Sequence, residues 1–307
     1  MILARVAHVG ALLVMPFLLT GVINRVKAWW SGRKGPPLLQ SAFDVVRLLK
    51  KQSVYSTTTT LLFRLAPWVF LLTAVASAVV VPLLGAAPLF SCAFDFVWFA
   101  YVWGLGRVFL LLAALDTGSS FEGMGAAREA TFSTLLEPSW FLIAGALALV
   151  SGTSTLHEAL APELGSGSAV VVWAAAIVVL FIVLQTETAR LPVDDPSTHL
   201  ELTMVHEVMV LDHSGPELAA IQTGAAIKLL VGASLIATLM NPWAGESSLR
   251  SAAANLIGCV VVAVVVGTVE SLIARFRLRA VPQYIVVAAA AGAVALLATA
   301  WRAGGAP

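Results

Sequence analysis

Titratable side chains are concentrated in one stretch, from Leu191 to Gly215, which reads LPVDDPSTHLELTMVHEVMVLDHSG. It contains five carboxylates and three histidines: Asp194, Asp195, Glu201, Glu207, Asp212, His199, His206 and His213. Crowded carboxylates and histidines can change protonation near neutral pH, so the stretch could bind and release protons. The histidines are seven residues apart and would share a stripe on a continuous helix. A polar face covered by water or by another subunit is the alternative interpretation.

Further ionisable residues interrupt long apolar segments. Glu137 lies about two turns inside a predicted helix, where a charge costs roughly 2.5 to 3.5 kcal/mol and needs a partner, a hydrated cavity or a function. Asp95, Arg107, Lys228 and Glu270 are buried by the same criterion, although Glu187 and Glu270 are close enough to helix ends to snorkel. We predict a proton pathway with these members: Asp116, Glu129, Glu137, Glu187, Asp194, Asp195, Glu201, Glu207 and Lys228.

Several other kinds of chemistry are not indicated. His206 and Glu207 begin like a zinc-protease motif, but HEVMV lacks the second histidine, so no metal site is expected. Cys92 and Cys259 form no CxxC pair that could hold zinc or an iron-sulfur cluster. There is no Gly-rich phosphate loop or nucleophile elbow, and no interleaving of basic and aromatic residues typical of nucleic-acid binding. We therefore predict no catalytic residue, no cofactor and no nucleic-acid partner for this chain.

The elements that must position these residues are those of an integral membrane protein, as the composition indicates. Of 307 residues, 59% are hydrophobic and only 11% are charged, and the mean hydropathy is +0.93. We predict an all-α polytopic membrane protein with one transmembrane domain over 1–307 and no cleavable signal peptide. The eight predicted spans are Ile2–Ile23, Leu61–Leu84, Phe94–Leu115, Glu129–Val150, Ala169–Leu184, Glu217–Met240, Ala252–Ile273 and Val281–Trp301.

Lys and Arg residues predict the orientation of these spans. Twelve lie in the odd-numbered loops: Arg25, Lys27, Arg33, Lys34, Arg47, Lys50, Lys51, Arg128, Arg190, Arg275, Arg277 and Arg279. By the positive-inside rule these loops face the cytoplasm and both termini lie on the outer side of the lipid bilayer. In the first loop, Gly and Pro over 32–37 break the chain before an interfacial amphipathic helix from Leu38 to Lys51. The third loop segment, from Leu115 to Pro138, is rich in Gly and Ser and then enters the fourth predicted span with Arg128, Glu129 and Glu137.

Three segments carry a family resemblance: GRKGPPLLQ, GSSFEGMGAAREATFSTLLEP and ETARLPVDDPSTHLELTMVHEVMVLDHSG. They resemble subunit 1 of respiratory complex I and its relatives in energy-converting [NiFe] hydrogenases. The residues that match the fifth-loop pattern are Glu187, Arg190, Pro192, Asp194, Glu201, Ser214 and Gly215. Ser197 and His199 stand where complex I usually has acids. The amino-acid sequence of these segments is most similar to that of the anchor subunits of formate hydrogenlyase and hydrogenase-4.

The resemblance implies a membrane anchor and proton-pathway subunit that couples a peripheral [NiFe] hydrogenase module to antiporter-like membrane subunits. It implies as partners the hydrogenase large and small subunits and an iron-sulfur subunit, which would hold the [NiFe] centre and the iron-sulfur clusters. Asp194, Glu201 and Glu207 are expected to lie with Glu187 around one polar cavity. Loops one, three and five would form one docking patch for peripheral subunits, with Arg33, Gly35, Pro36, Gln40, Glu122, Arg128, Arg190 and Pro192.

Three alternatives remain open at this point. A complex I type NADH:quinone oxidoreductase would use the subunit to line its quinone chamber. A stand-alone secondary ion transporter would show an inverted repeat, and the two halves have no convincing self-similarity. A pure scaffold would conduct no ions.

Overall fold

Helices account for the regular structure in the part of the chain that the computed structural model describes, which is residues 2–85, 87–161, 167–194, 204–246 and 248–304. Eight helices in these residues are long and apolar enough to cross a membrane. The prediction of an all-α polytopic membrane protein with eight spans is confirmed. The helices are α1 (Ile2–Trp30), α2 (Gln40–Leu49), α3 (Leu61–Val80), α4 (Asp95–Asp116), α5 (Ser120–Ser151), α6 (Leu156–Ala159), α7 (Gly167–Glu187), α8 (His206–Met209), α9 (Gly215–Met240), α10 (Leu249–Leu272) and α11 (Val281–Gly304).

Helix α9 is the centre of the bundle. Every residue from Ala226 to Leu239 is buried, and the helix packs against α1, α2, α3, α7 and α10. Pro216 at its start is tolerated because the first helical N–H groups have no partner inside a helix. A side chain on this helix therefore faces protein rather than lipid, which is the environment that Lys228 requires.

Four connecting segments meet at one end of the bundle, which we name the loop-5 end: 31–60, 117–119, the described parts of 188–214, and 273–280. Thr58 donates to the carbonyl of Thr117, and the Val54 N–H donates to Ser214 Oγ at 2.9 Å. The Phe276 N–H donates to the carbonyl of Pro192 at 3.0 Å. These bonds join loops one, three, five and seven, as alternation of the spans requires.

Helix α2 stands at the place predicted for the amphipathic helix, but its bounds are narrower than Leu38 to Lys51. Val45 is buried, and the helix packs against α1 and α9. Phe43, Val46 and Leu49 are exposed. An exposed apolar face beside basic residues is typical of a helix that lies at a membrane surface.

The predicted third loop is too long, because the helix that follows it begins earlier than expected. Helix α5 begins at Ser120, so only 117–119 connect it to α4, and Glu122 and Arg128 are already helical. Gly125, one of the glycines in this predicted loop, serves close packing instead. A Cβ atom on Gly125 would lie 2.3 Å from Val208 Cγ1 and 2.9 Å from the carbonyl oxygen of Val205, so α8 can rest on α5 only if residue 125 has no side chain.

Substitution of Gly125 by alanine is expected to destabilise the packing of α8 on α5. Gly123 in the same helix is the matched control, because a Cβ there meets no atom within 4 Å. Since alanine favours helix over glycine by roughly 0.5 to 1 kcal/mol, Gly123→Ala should be neutral or slightly stabilising. Limited proteolysis and thermal unfolding in detergent would compare the two, and equal stability would show that α8 does not depend on this contact.

Candidate functional site

A network of ion pairs, most of them buried, lies between four spanning helices. Arg107 of α4 has 9% side-chain exposure and pairs with three carboxylates. Its Nη1 atom is 3.3 Å from Glu137 Oε1, its Nε atom is 3.8 Å from Glu129 Oε1, and its Nη2 atom bonds to Glu187. Glu129 and Glu137 belong to α5, and Glu187 is the last residue of α7. A single guanidinium thus joins α4, α5 and α7.

Lys228 of α9 completes this cluster. Its Nζ atom is 3.3 Å from Glu187 Oε2, and it lies 5.0 Å from the ring centroid of Phe70 and 5.1 Å from that of Trp103. Aromatic faces stabilise a desolvated ammonium group through their ring quadrupoles. We name Arg107, Glu129, Glu137, Glu187 and Lys228 the central network. It holds two basic groups and three acids, so it can take up or pass on a proton without unpairing every charge.

Asp194 has a different role, as the residue that holds loop five in place. The residue is 1% exposed, and its carboxylate accepts hydrogen bonds from the backbone N–H groups of Val205 and His206 at 3.1 and 3.0 Å. Arg275 donates to it from the seventh loop at 2.7 Å. An ionised carboxylate that accepts several such bonds is strongly held. Asp194 therefore joins the two described parts of loop five to each other and to the segment that precedes α11.

Two neighbouring cavities open beneath loop five. One, of about 140 Å³, is lined by Arg190, Asp194, His206 and Glu207. The other, of about 190 Å³, lies between α1, α2 and α9. Both are bordered by Thr188, Arg190, Gln222 and Ala225, so Arg190 stands between them.

Glu187 does not line either of these cavities. It borders a smaller one of about 30 Å³ with Arg107 and Glu137, because its carboxylate is drawn to Arg107 and Lys228. The expectation of one cavity shared by Glu187, Asp194 and Glu207 is therefore wrong for these three residues. The structure places Asp194 and Glu207 at the cavity of about 140 Å³ and Glu187 at the cavity of about 30 Å³, and these two cavities share no lining residue among those described.

A second ion cluster fixes Arg190. Its Nη1 atom is 3.2 Å from Glu270 Oε1, and Lys27 Nζ is 2.9 Å from Glu270 Oε2. The Glu270 side chain is fully buried, so it pairs with two cations and does not snorkel. Lys27 and Arg275 also hold the site together, although the sequence identifies them only as basic loop residues that indicate membrane orientation. Buried acids such as Glu270 and Asp194 indicate that basic partners are needed, but the sequence does not show which lysine or arginine each one pairs with.

The predicted docking residues fall into two groups. Arg33 is exposed, Gly35 packs on Ala28 and Arg25 of α1, and Gln40 donates to Asp44. Pro36 is half-buried. The other residues hold the site together: Arg128 donates to the carbonyl of Met204 at 2.8 Å, Arg190 pairs with Glu270, and Pro192 accepts from Phe276. Glu122 is only 2% exposed; its side chain is turned into the protein and cannot belong to an exposed patch.

Asp116 lies apart from the central network. It accepts bonds from the backbone N–H and the hydroxyl of Thr60, at 2.7 and 2.9 Å, and so ties the end of α4 to the start of α3. Asp195, His199 and Glu201 lie outside the described residues. Of the predicted pathway, the structure thus brings Glu129, Glu137, Glu187 and Lys228 together, and it places Asp194 and Glu207 around the neighbouring cavity.

The described histidines do not form a continuous stripe. His206 starts the four-residue helix α8, whereas His213 stacks on Phe63 with ring centroids 4.0 Å apart. Burial lowers the pKa of His206, and it lowers the pKa of His213 to about 4. Both rings are therefore neutral near pH 7. Among the described residues, no three His, Cys, Asp or Glu side chains are grouped as a metal site would require.

Known proteins resemble this chain over most of its length. A family model described as NADH dehydrogenase matches residues 3–300. Hydrogenase-4 component C of Escherichia coli (strain K12) is 31% identical over 289 residues, covering 90% of this chain and 89% of that protein. Formate hydrogenlyase subunit 4 of the same strain is 29% identical over 280 residues, covering 87% and 88%. A chain from the membrane-bound sulfane sulfur reductase, an archaeal respiratory membrane complex, has the same fold, with a TM-score of 0.77, 19% identity and coverage of 96% and 98%.

Proposed function

This chain belongs to the NADH dehydrogenase family of complex I subunit 1-like proteins, and from this premise we propose that it anchors a peripheral [NiFe] hydrogenase module in the membrane. We further propose that it carries protons between that module and antiporter-like membrane subunits. The names of its relatives, hydrogenase-4 component C and formate hydrogenlyase subunit 4, support the hydrogenase assignment.

The central network is the observation that carries the proton-pathway proposal. Burying charged side chains in a membrane protein costs several kcal/mol for each group unless they are paired, and well-packed apolar residues often stabilise as well or better. Five ionisable side chains from four helices at one place therefore favour a functional role over a structural one. Glu187 contacts both basic groups and would relay a proton between Lys228 and the Arg107 side of the network.

The pathway would begin at the loop-5 end. Glu207 and Asp194 border a cavity that Thr188, the residue after Glu187, also lines, so water in this cavity could connect a docked subunit with the central network. We place the [NiFe] centre and iron-sulfur clusters in the partners, namely the hydrogenase large and small subunits and an iron-sulfur subunit. Electron transfer there would supply the energy for ion movement, about 2.3 kcal/mol for each charge moved against 100 mV.

The same arrangement supports an orientation of the chain in the membrane. Arg33, Lys34, Lys50, Lys51 and Arg277 are exposed at the loop-5 end, and Lys and Arg are retained on the cytoplasmic side. We propose that this end faces the cytoplasm, that both termini lie outside, and that the single transmembrane domain sits in a prokaryotic plasma membrane.

The purified complex tests the proposal. We expect subunits with nickel and iron to co-purify with this chain, together with hydrogenase activity that quinone analogues do not inhibit. Iron without nickel, with competitive inhibition by a quinone analogue, would favour a quinone-reducing function instead. The cavity of about 190 Å³, bordered by the apolar residues Phe17, Val45, Ala225 and Ala226, is the feature that supports this second candidate.

Docking of peripheral subunits is expected to depend on two residues for different reasons. Arg33→Ala removes an exposed charge and should weaken retention of peripheral subunits in a salt-dependent way, since exposed ion pairs are screened. Asp194→Asn removes the charge that pairs with Arg275 at 2.7 Å and should loosen loop five at every salt concentration. Subunit retention on size-exclusion chromatography at low and high salt measures both effects. Fully assembled, fully active complexes from both variants would contradict docking at this end.

A further inference from the structure

Glu137 is the one member of the central network with a largely exposed side chain. The side-chain exposure is 56% for Glu137, against 9% for Arg107, 16% for Glu129, 6% for Glu187 and 3% for Lys228. Glu137 lies near the middle of the spanning helix α5, at a depth where lipid tails would surround an isolated chain. A half-exposed carboxylate is poorly suited to hydrocarbon, so this surface needs a polar cover.

The charge of the network indicates what kind of cover fits. Glu137 reaches Arg107 through only one oxygen, at 3.3 Å. Arg107 also pairs with Glu129 and Glu187, so one guanidinium is shared among three carboxylates. A group that approaches Glu137 from outside therefore meets an exposed carboxylate with a shared partner, and a basic side chain is complementary to it.

The neighbouring surface of α4 leaves room for a close approach. A Cβ atom on Gly104 would meet only Glu137 Oε1, at 4.0 Å, so packing within this chain does not require a glycine there. Ala100 lies one turn away on the same helix, and both residues are partly exposed. Small residues spaced by four let another helix pack tightly in a membrane. Two independent features, an uncovered carboxylate and a bare helix surface, thus meet at one groove between α4 and α5.

We propose that this α4/α5 groove, bordered by Ala100, Gly104 and Glu137, is a docking surface for a transmembrane helix of a neighbouring subunit that presents a lysine or arginine to Glu137. The inference rests on the proposed function only in requiring a second membrane subunit. The incoming basic group closes the outer side of the central network and pairs with the exposed carboxylate of Glu137. The groove is thereby the lateral connection of the network to the rest of the complex.

Site-specific photo-crosslinking in the intact complex tests the surface. A benzophenone side chain at Leu105 of α4 or Thr134 of α5, both exposed beside the groove, should form adducts with one neighbouring membrane subunit. Ile257 of α10 and Leu297 of α11 are exposed apolar controls on other helices and should give at least tenfold less of that adduct. Lipid-only products at Leu105 and Thr134, or equal adducts at all four positions, would overturn the proposal.

Two substitutions separate docking from proton transfer. Gly104→Leu fills the groove and should reduce co-purification of that subunit at least fivefold, whereas Gly10→Leu, at another glycine with no atom within 4 Å of its Cβ position, should not. Glu137→Lys should reduce co-purification further than Glu137→Gln. Retention of the partner by both Gly104→Leu and Glu137→Lys would refute the docking surface even if ion pumping failed. A complex without nickel would refute the hydrogenase assignment and leave the crosslinks unchanged.

Discussion

Replacing Glu187 with glutamine is expected to abolish proton translocation by the complex while its peripheral subunits stay bound and catalyse hydrogen evolution. The amide has the size of the carboxylate and can still accept a hydrogen bond from Arg107 or Lys228, but it cannot take up and release a proton. Because Glu187 contacts both basic groups of the central network, no other described member of the network can take its place. Proton uptake by proteoliposomes, measured with a pH-sensitive dye during turnover, should fall to background.

The control for this variant is Glu246→Gln. Glu246 is an exposed carboxylate at the opposite end of the bundle, so its amide should pump normally. Glu137→Gln should also impair pumping, because Glu137 is the outermost acid of the network. Normal pumping by the Glu137→Gln and Glu187→Gln double variant would reduce both residues to structural polar groups and leave a scaffold as the better interpretation.

The fold is predictable from the sequence because hydrophobicity and length alone decide which segments span a membrane. Helix boundaries are less accessible, and α5 shows why. The sequence GMGAAR is compatible with a turn or with a helix that another segment approaches closely, and only the position of Val208 over Gly125 distinguishes the two. Helix α1 likewise continues to Trp30 beyond its apolar run, and Lys27 in this last part pairs with Glu270 of α10.

Residues of the site can be predicted from the sequence where a charged side chain interrupts an apolar helix. Glu137 and Lys228 are recognisable because a charge in an apolar helix needs a reason. Partners are not recognisable in this way, since Arg107 and Glu187 are 80 residues apart in sequence and meet only because α4 and α7 both pack on α5. Glu122 shows the opposite error. The sequence pattern places it in an exposed loop, whereas helix α5 turns it into the protein interior.

Arg107→Met is expected to be the most damaging substitution for assembly. Methionine preserves much of the length and the apolar body of the side chain, but Glu129, Glu137 and Glu187 then face one another with Lys228 as their remaining partner in the network. Removing one partner from a buried ion pair typically costs about 3 to 5 kcal/mol, because a charge is left uncompensated. That loss is comparable to the whole stability margin of many domains. We therefore expect little folded protein in membranes and a marked fall in the thermal unfolding temperature of what remains.

Charge removal at two of the three carboxylates distinguishes repulsion from lost packing. Arg250→Met, at an exposed arginine at the start of α10, is the matched control and should express and unfold like the parent chain. If repulsion among the acids causes the damage, combining Arg107→Met with Glu129→Gln and Glu137→Gln should restore most of the folded protein, since Glu187 then keeps Lys228 as its partner at 3.3 Å. Lack of rescue would mean that the shape of the guanidinium, bonded to α5 and α7 at once, is what the bundle requires. Equal behaviour of Arg107→Met and Arg250→Met would show that the central network contributes nothing to folding.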